Sequence, residues 1–123
     1  MRKVKVYNFG EYAGDLLEYE KNKLYKFIYN DEYKGAPVSL TMPKDKWEYE
    51  FNQFPPFFEG LLPEGIQLDA LVRQTKKDRN DYLSLLIITG KDLVGSVTVE
   101  KTEWIFVLLH TNLVVIKNTL QRD

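Results

Sequence analysis

The chain has no cysteine among its 123 residues. That excludes disulfides, thiolate catalysis and every cysteine-held zinc or iron–sulfur centre, and it points to a reducing, cytoplasmic compartment. Histidine is nearly absent too: His110 stands alone, whereas a zinc site normally takes three or four nitrogen or sulfur ligands. The seven glycines never fall into GxxxxGK or GxGxxG, so no phosphate-binding loop is expected. Neither sign of charge is in excess. Seventeen basic and eighteen acidic residues leave a net charge of −1, which gives no general attraction for nucleic acid or an anionic membrane. Long apolar runs are missing as well. The most apolar stretch, residues 104–116, is interrupted by His110, Thr111 and Asn112 and falls short of the roughly 20 residues needed to cross a bilayer. At the amino terminus Lys5, Asn8 and Glu11 break up what would otherwise be a signal-peptide core, so no leader and no membrane association are expected.

With 44% hydrophobic and 28% charged residues, the chain has the composition of one domain with a single core. Its first forty residues carry the period of two expected of half-buried strands. Val4 and Val6 alternate with Lys3 and Lys5, and Asn8-Phe9-Gly10 supplies residues that tolerate a hairpin turn. Residues 11–17 then return, Glu20-Lys21-Asn22 turns again, and Tyr25, Phe27 and Tyr29 share one face of a third strand. Val38, Leu40 and Met42 alternate between Pro37 and Pro43, which predicts an edge strand or an extended loop. Residues 44–53 read as a loop or a poor strand.

The middle of the chain is helical in pattern. Pro55 and Pro56 suit a first helical turn, residues 57–62 form a short helix, and Pro63 opens the next one. In that second helix Leu68, Leu71, Val72 and Thr75 make an apolar stripe. Asp78 or Asn80 is expected to cap a third helix over residues 82–89, with Gly90 as its left-handed stop. Val97 and Val99 begin a late strand, and residues 104–116 read as a hairpin or a helix. Strands, then helices, then strands define an α+β domain with a mostly antiparallel sheet and two or three helices.

Catalytic chemistry finds little support. Glu59, Glu64 and Asp69 are carboxylates, but the pattern places Glu59 on an exposed face, Glu64 at the positive end of the second helix and Asp69 in water. A basic cluster at Lys76, Lys77 and Arg79 is diluted by Asp78 and Asp81, and aromatic residues at strand period, such as Tyr25, Phe27 and Tyr29, belong to a core more often than to a base-stacking platform.

Four segments then occur in a fixed order: VYNFGEYAGDL, PVSLTMP at residues 37–43, PFFEGLLPEG at residues 56–65, and DYLSLLIITGKDLVGSVTV at residues 81–99. Together they resemble the amino-terminal subdomain of HipA-type serine/threonine kinases over roughly residues 3–100. The resemblance implies that subdomain's α+β fold for residues 1–100, with residues 101–123 as a C-terminal extension of the same domain. It also implies no cofactor and no catalysis, because residues 101–123 hold none of the kinase core's nucleotide loop, catalytic aspartate or metal-binding residues. A free-standing copy is similar to HipS-like antitoxins of three-gene HipBST toxin–antitoxin systems. The implied partners are a HipT-like kinase, inhibited in trans, and a HipB-like DNA-binding protein in a ternary complex. Two alternatives stand beside this: a structural piece of a longer HipA-like kinase, and a small nucleic-acid-binding module, which a salt-dependent titration would detect. For the docking surface, the sharp junction Leu61, Leu62, Pro63, Glu64 and Gly65 is the expected anchor, with Leu62 and Glu64 facing the partner and Phe57 and Phe58 in the core.

Overall fold

The computed structural model describes residues 1–93 and 95–102. The alternation at Val4 and Val6 builds β1 (Arg2–Asn8), and a tight turn follows in which Phe9 and Gly10 both take positive φ, 52° and 81°. That is the backbone sign a two-residue hairpin needs to match the twist of its strands. β2 (Glu11–Glu20) returns with Val4 opposite Leu16, and β3 (Leu24–Tyr29) continues the meander with Leu16 opposite Phe27. β4 (Glu48–Phe51) adds to the free side of β3, and β5 (Val97–Lys101) pairs with β1. The result is a five-stranded, wholly antiparallel sheet in the order β4-β3-β2-β1-β5.

One face of this sheet is apolar, and the helices cover it. Val4, Val6, Leu16, Tyr25, Phe27, Tyr29, Val97 and Val99 join Phe58, Leu62, Leu83, Leu85 and Leu86 in one buried cluster. Residues 44–53 resolve into a real but minimal strand: β4 has four residues, with exposed Glu48 and Glu50 alternating with half-buried Tyr49 and Phe51. Short, charged edges of this kind resist pairing with another chain. The Pro37–Pro43 segment takes the loop alternative. Ser39 and Met42 form an isolated bridge, Val38 and Met42 turn inward, and Leu40 is left 97% exposed at the tip. Tyr29 holds both sides of that tip, since its hydroxyl accepts from Val38 N at 2.9 Å and donates to the Met42 carbonyl.

The helices differ from expectation in four places, one of them Gly90 after the third helix, whose φ of −55° is not left-handed. α1 (Pro56–Glu59) is a single turn and does not extend to residue 62; Leu61 N and Leu62 N bond back only three residues, to Phe58 O and Glu59 O, so the chain tightens and leaves the helix. Pro63 does not open α2 (Gly65–Thr75), whose cap position is Glu64 in extended conformation. α3 (Tyr82–Thr89) is capped by Asp81 and not by Asp78 or Asn80. The Asp78 carboxylate is already taken by Asn80 N at 2.9 Å, whereas the Asp81 side chain accepts from both Ser84 N and Ser84 Oγ. Residues 104–116, including His110, and Val94 lie outside the described residues.

Candidate partner-binding site

Phe54 and Pro55 are buried and Phe58 is fully so, with its ring 5.8 Å from Phe27 on the sheet. This pins the single turn α1 in place, because four residues have too few hydrogen bonds to hold a helix unaided. The chain then exits through Leu61-Leu62-Pro63-Glu64-Gly65. Leu62 is 8% exposed and packs into the core, because the three-residue turn after Phe58 carries its side chain inward and leaves only a small part of it to meet a partner. Phe57 is only partly buried, against Phe58. Leu61 and Pro63 are half-buried and Glu64 and Gly65 are exposed.

Gly65 takes φ +59°, and its Cβ position is open space. A left-handed residue at the start of α2 reorients the chain, and the next side chain, Ile66, emerges 84% exposed. The sequence reading passed over Ile66. A signal existed, however: Ile66 lies opposite the Leu68/Leu71/Val72 stripe on a helical wheel, so an apolar side chain stands on the wet face.

Beside this corner runs an open groove of about 430 Å³. Leu62, Pro63, Leu68 and Leu85 give it apolar patches, and Glu59, Glu64, Arg79, Asn80 and Tyr82 add charged and polar groups to the lining. α2 forms its wall without any buried residue, since Leu68, Leu71 and Val72 are only half-buried. Arg79, from the expected basic cluster, pairs with Asp69 on α2, and Lys76 ends that helix in left-handed conformation. The aromatic trio Tyr25, Phe27 and Tyr29 is buried, which removes it as a stacking platform. Among the described residues no three His, Cys, Asp or Glu side chains converge as a metal site would require, and no helix is long and apolar enough to cross a membrane.

A polar cluster fixes the far wall. Arg2 donates from Nε to Glu18 at 2.7 Å, from Nη1 to Ser84 Oγ at 2.8 Å and from Nη2 to Asp81 at 2.8 Å. Tyr25 donates to the second oxygen of Glu18 at 2.8 Å. Strand and helix are thereby joined at the start of α3. Burial would raise the Asp81 pKa, but hydrogen bonds from Arg2 and Ser84 outweigh it and hold the carboxyl below its ordinary 3.8. A depressed folded value stabilises the fold above 3.8, and that contribution is lost as pH falls through the lower folded value. Asp81→Ala should therefore cost about 1–2 kcal/mol at neutral pH. Thermal melts at about pH 7 and in strong acid should show the gap from wild type shrinking as wild-type Asp81 takes up its proton below 3.8. A gap of equal size at both would remove the ionic part of this account.

Among the described residues, five antiparallel strands with three short helices on one face define a small α+β domain. Residues 4–100 match the family described as HipA N-terminal domain. A solved structure described as the N-terminal domain of HipA toxin superposes with a TM-score of 0.66 at 26% identity, covering 84% of this chain and 94% of that one. A Haemophilus influenzae protein described as uncharacterized is 29% identical over 101 residues, which make up 82% of this chain and 93% of that protein. The chain belongs to the HipA N-terminal domain family.

Proposed function

We propose that this HipA-related toxin–antitoxin component acts in trans as an antitoxin, binding and inhibiting a HipT-like serine/threonine kinase without catalysing a reaction itself. A HipB-like DNA-binding protein would complete a ternary complex. Family membership supports the reading, because a domain that forms one unit of a toxin already has a surface shaped for the rest of it. The Haemophilus influenzae relative adds support: the aligned stretch makes up 93% of that protein, so in that protein the domain occurs with little else attached.

The observation that carries the reading is the exposed Ile66 on the wet face of α2, two residues after Glu64, which lines an open groove of mixed apolar and charged character. Fully burying such a side chain in an interface is worth about 1.5–3 kcal/mol, and the rim carboxylates Glu59 and Glu64 favour a partner segment with basic residues beside its apolar anchor.

The test uses the whole 123-residue chain co-expressed with a HipT-like kinase. Wild type should co-purify with the kinase and restore growth. Ile66→Asp should weaken the complex by about 10- to 100-fold, and Glu64→Lys should weaken it further at low salt than at high salt. If wild type neither co-purifies nor restores growth, the antitoxin reading fails. If wild type succeeds and both variants match it, the corner is the wrong surface.

A further inference from the structure

The sheet face opposite the helices carries a second concavity, of about 450 Å³, built from β2, β3 and the loop entering β4. Asp15 and Ile28 are cross-strand partners on this outer face, next to Leu16 and Phe27, which point the other way. Tyr12, Asp31 and Trp47 stand in its walls together with Tyr29 and Asn30. Two surface carboxylates alone bind nothing in particular; here they share a hollow with two aromatic rings and an aliphatic floor.

Each part matches a different portion of one ligand. Trp47 is 50% exposed, and among the described residues no lysine or arginine lies over its ring. Its neighbour Tyr12 already attracts a cation on this surface, with Lys5 Nζ 5.4 Å from the ring centre. The Tyr12 hydroxyl donates to Asp15 Oδ1 at 2.6 Å, which holds that carboxylate in place and leaves its other oxygen to accept. Neither Asp15 nor Asp31 is in an ion pair among the described residues. A planar guanidinium stacks on an indole and forks onto carboxylates, and its methylene stem needs apolar contact such as Ile28 offers. A lysine ammonium would use the charge but neither the plane nor the fork.

We infer that this hollow is a binding site for an arginine side chain of a protein partner, separate from the corner at Ile66. Charge complementarity selects the cation, and the Trp47 face selects the guanidinium. The site is independent of any kinase, so its test requires none.

The experiment titrates N-acetyl-arginine amide into the ¹⁵N-labelled full chain and follows the indole N–H resonance of Trp47, assigned by its loss in Trp47→Phe. A saturable shift with a Kd on the order of a few millimolar is expected. Asp15→Asn/Asp31→Asn should weaken it about tenfold or more while leaving the rest of the spectrum folded. No shift of Trp47, an equal shift from norleucine amide, or undiminished binding by the double variant would overturn the site. A lysine amide that binds as tightly as the arginine amide would overturn the guanidinium assignment.

Discussion

Phe58→Ala should lower the unfolding free energy by about 3–5 kcal/mol, the usual cost of removing a buried aromatic side chain and leaving a cavity. Phe58 is fully buried, stacks in tilted geometry on Phe27 and meets Phe57 edge-on. α1 has only four residues, so this ring is the main fastening between that turn and the sheet. The same substitution should loosen the exit through Leu61 and Leu62, and with it the position of Glu64 and Ile66. Urea unfolding of Phe58→Ala and Phe57→Ala provides the comparison. The half-buried Phe57 should cost about half as much or less, and equal losses would show that burial at Phe58 is not the fastening.

Gly90→Ala should cost about 3 kcal/mol or more, at the upper end of what forced overpacking produces. The sequence reading made Gly90 a left-handed helix stop, but its φ is −55°, a value any residue adopts. What the position requires is closeness. A Cβ there would lie 2.4 Å from the Val99 carbonyl oxygen and 2.7 Å from Val99 Cγ2. Val99 N donates to Gly90 O at 3.1 Å, so α3 and β5 touch through bare backbone. Relief would require the helix to move away from the strand and break that bond. Gly90→Asn separates the two roles: asparagine serves well at a left-handed stop but not at a close approach. Equilibrium unfolding should find both variants destabilised, and a tolerated asparagine would restore the stop.

Much of the sheet was legible because strand period and burial coincide there. Val4 and Val6 in β1, the Tyr25/Phe27/Tyr29 face of β3 and the Val97/Val99 face of β5 each have one dry side, and a period of two reports that directly. β4 was nearly missed for the same reason. Among the described residues it has a neighbour on one side only, and its inward residues Tyr49 and Phe51 are half-buried, so the contrast between its faces is weak. Asp81 was missed as the cap of α3 because Asp78, Asn80 and Asp81 are chemically similar choices. Only the prior engagement of Asp78 by Asn80 and the approach of Arg2 from the sheet distinguish them.

The candidate corner divides in the same way. Its location, at the junction after Phe57 and Phe58, follows from local chemistry: prolines on both sides, a glycine that accepts φ +59°, and a run of apolar residues too short to continue. Which of its side chains is available does not follow from local chemistry. Leu62 faces inward and Ile66 outward because Phe58 is anchored on Phe27, more than thirty positions away along the chain.

The sequence by itself determined the α+β class, the hairpin, the faces of the inner strands and, through four segments in order, the resemblance to HipA-type proteins. The tertiary structure alone decided which leucine is spent on the core, which glycine marks a close approach, and how Arg2, Glu18 and Asp81 meet. Strand period, turn preference and motif order are properties of neighbours along the chain. Side-chain direction at a junction, and the convergence of charges from residues 2, 18 and 81, are set by contacts between segments the chain brings together only on folding.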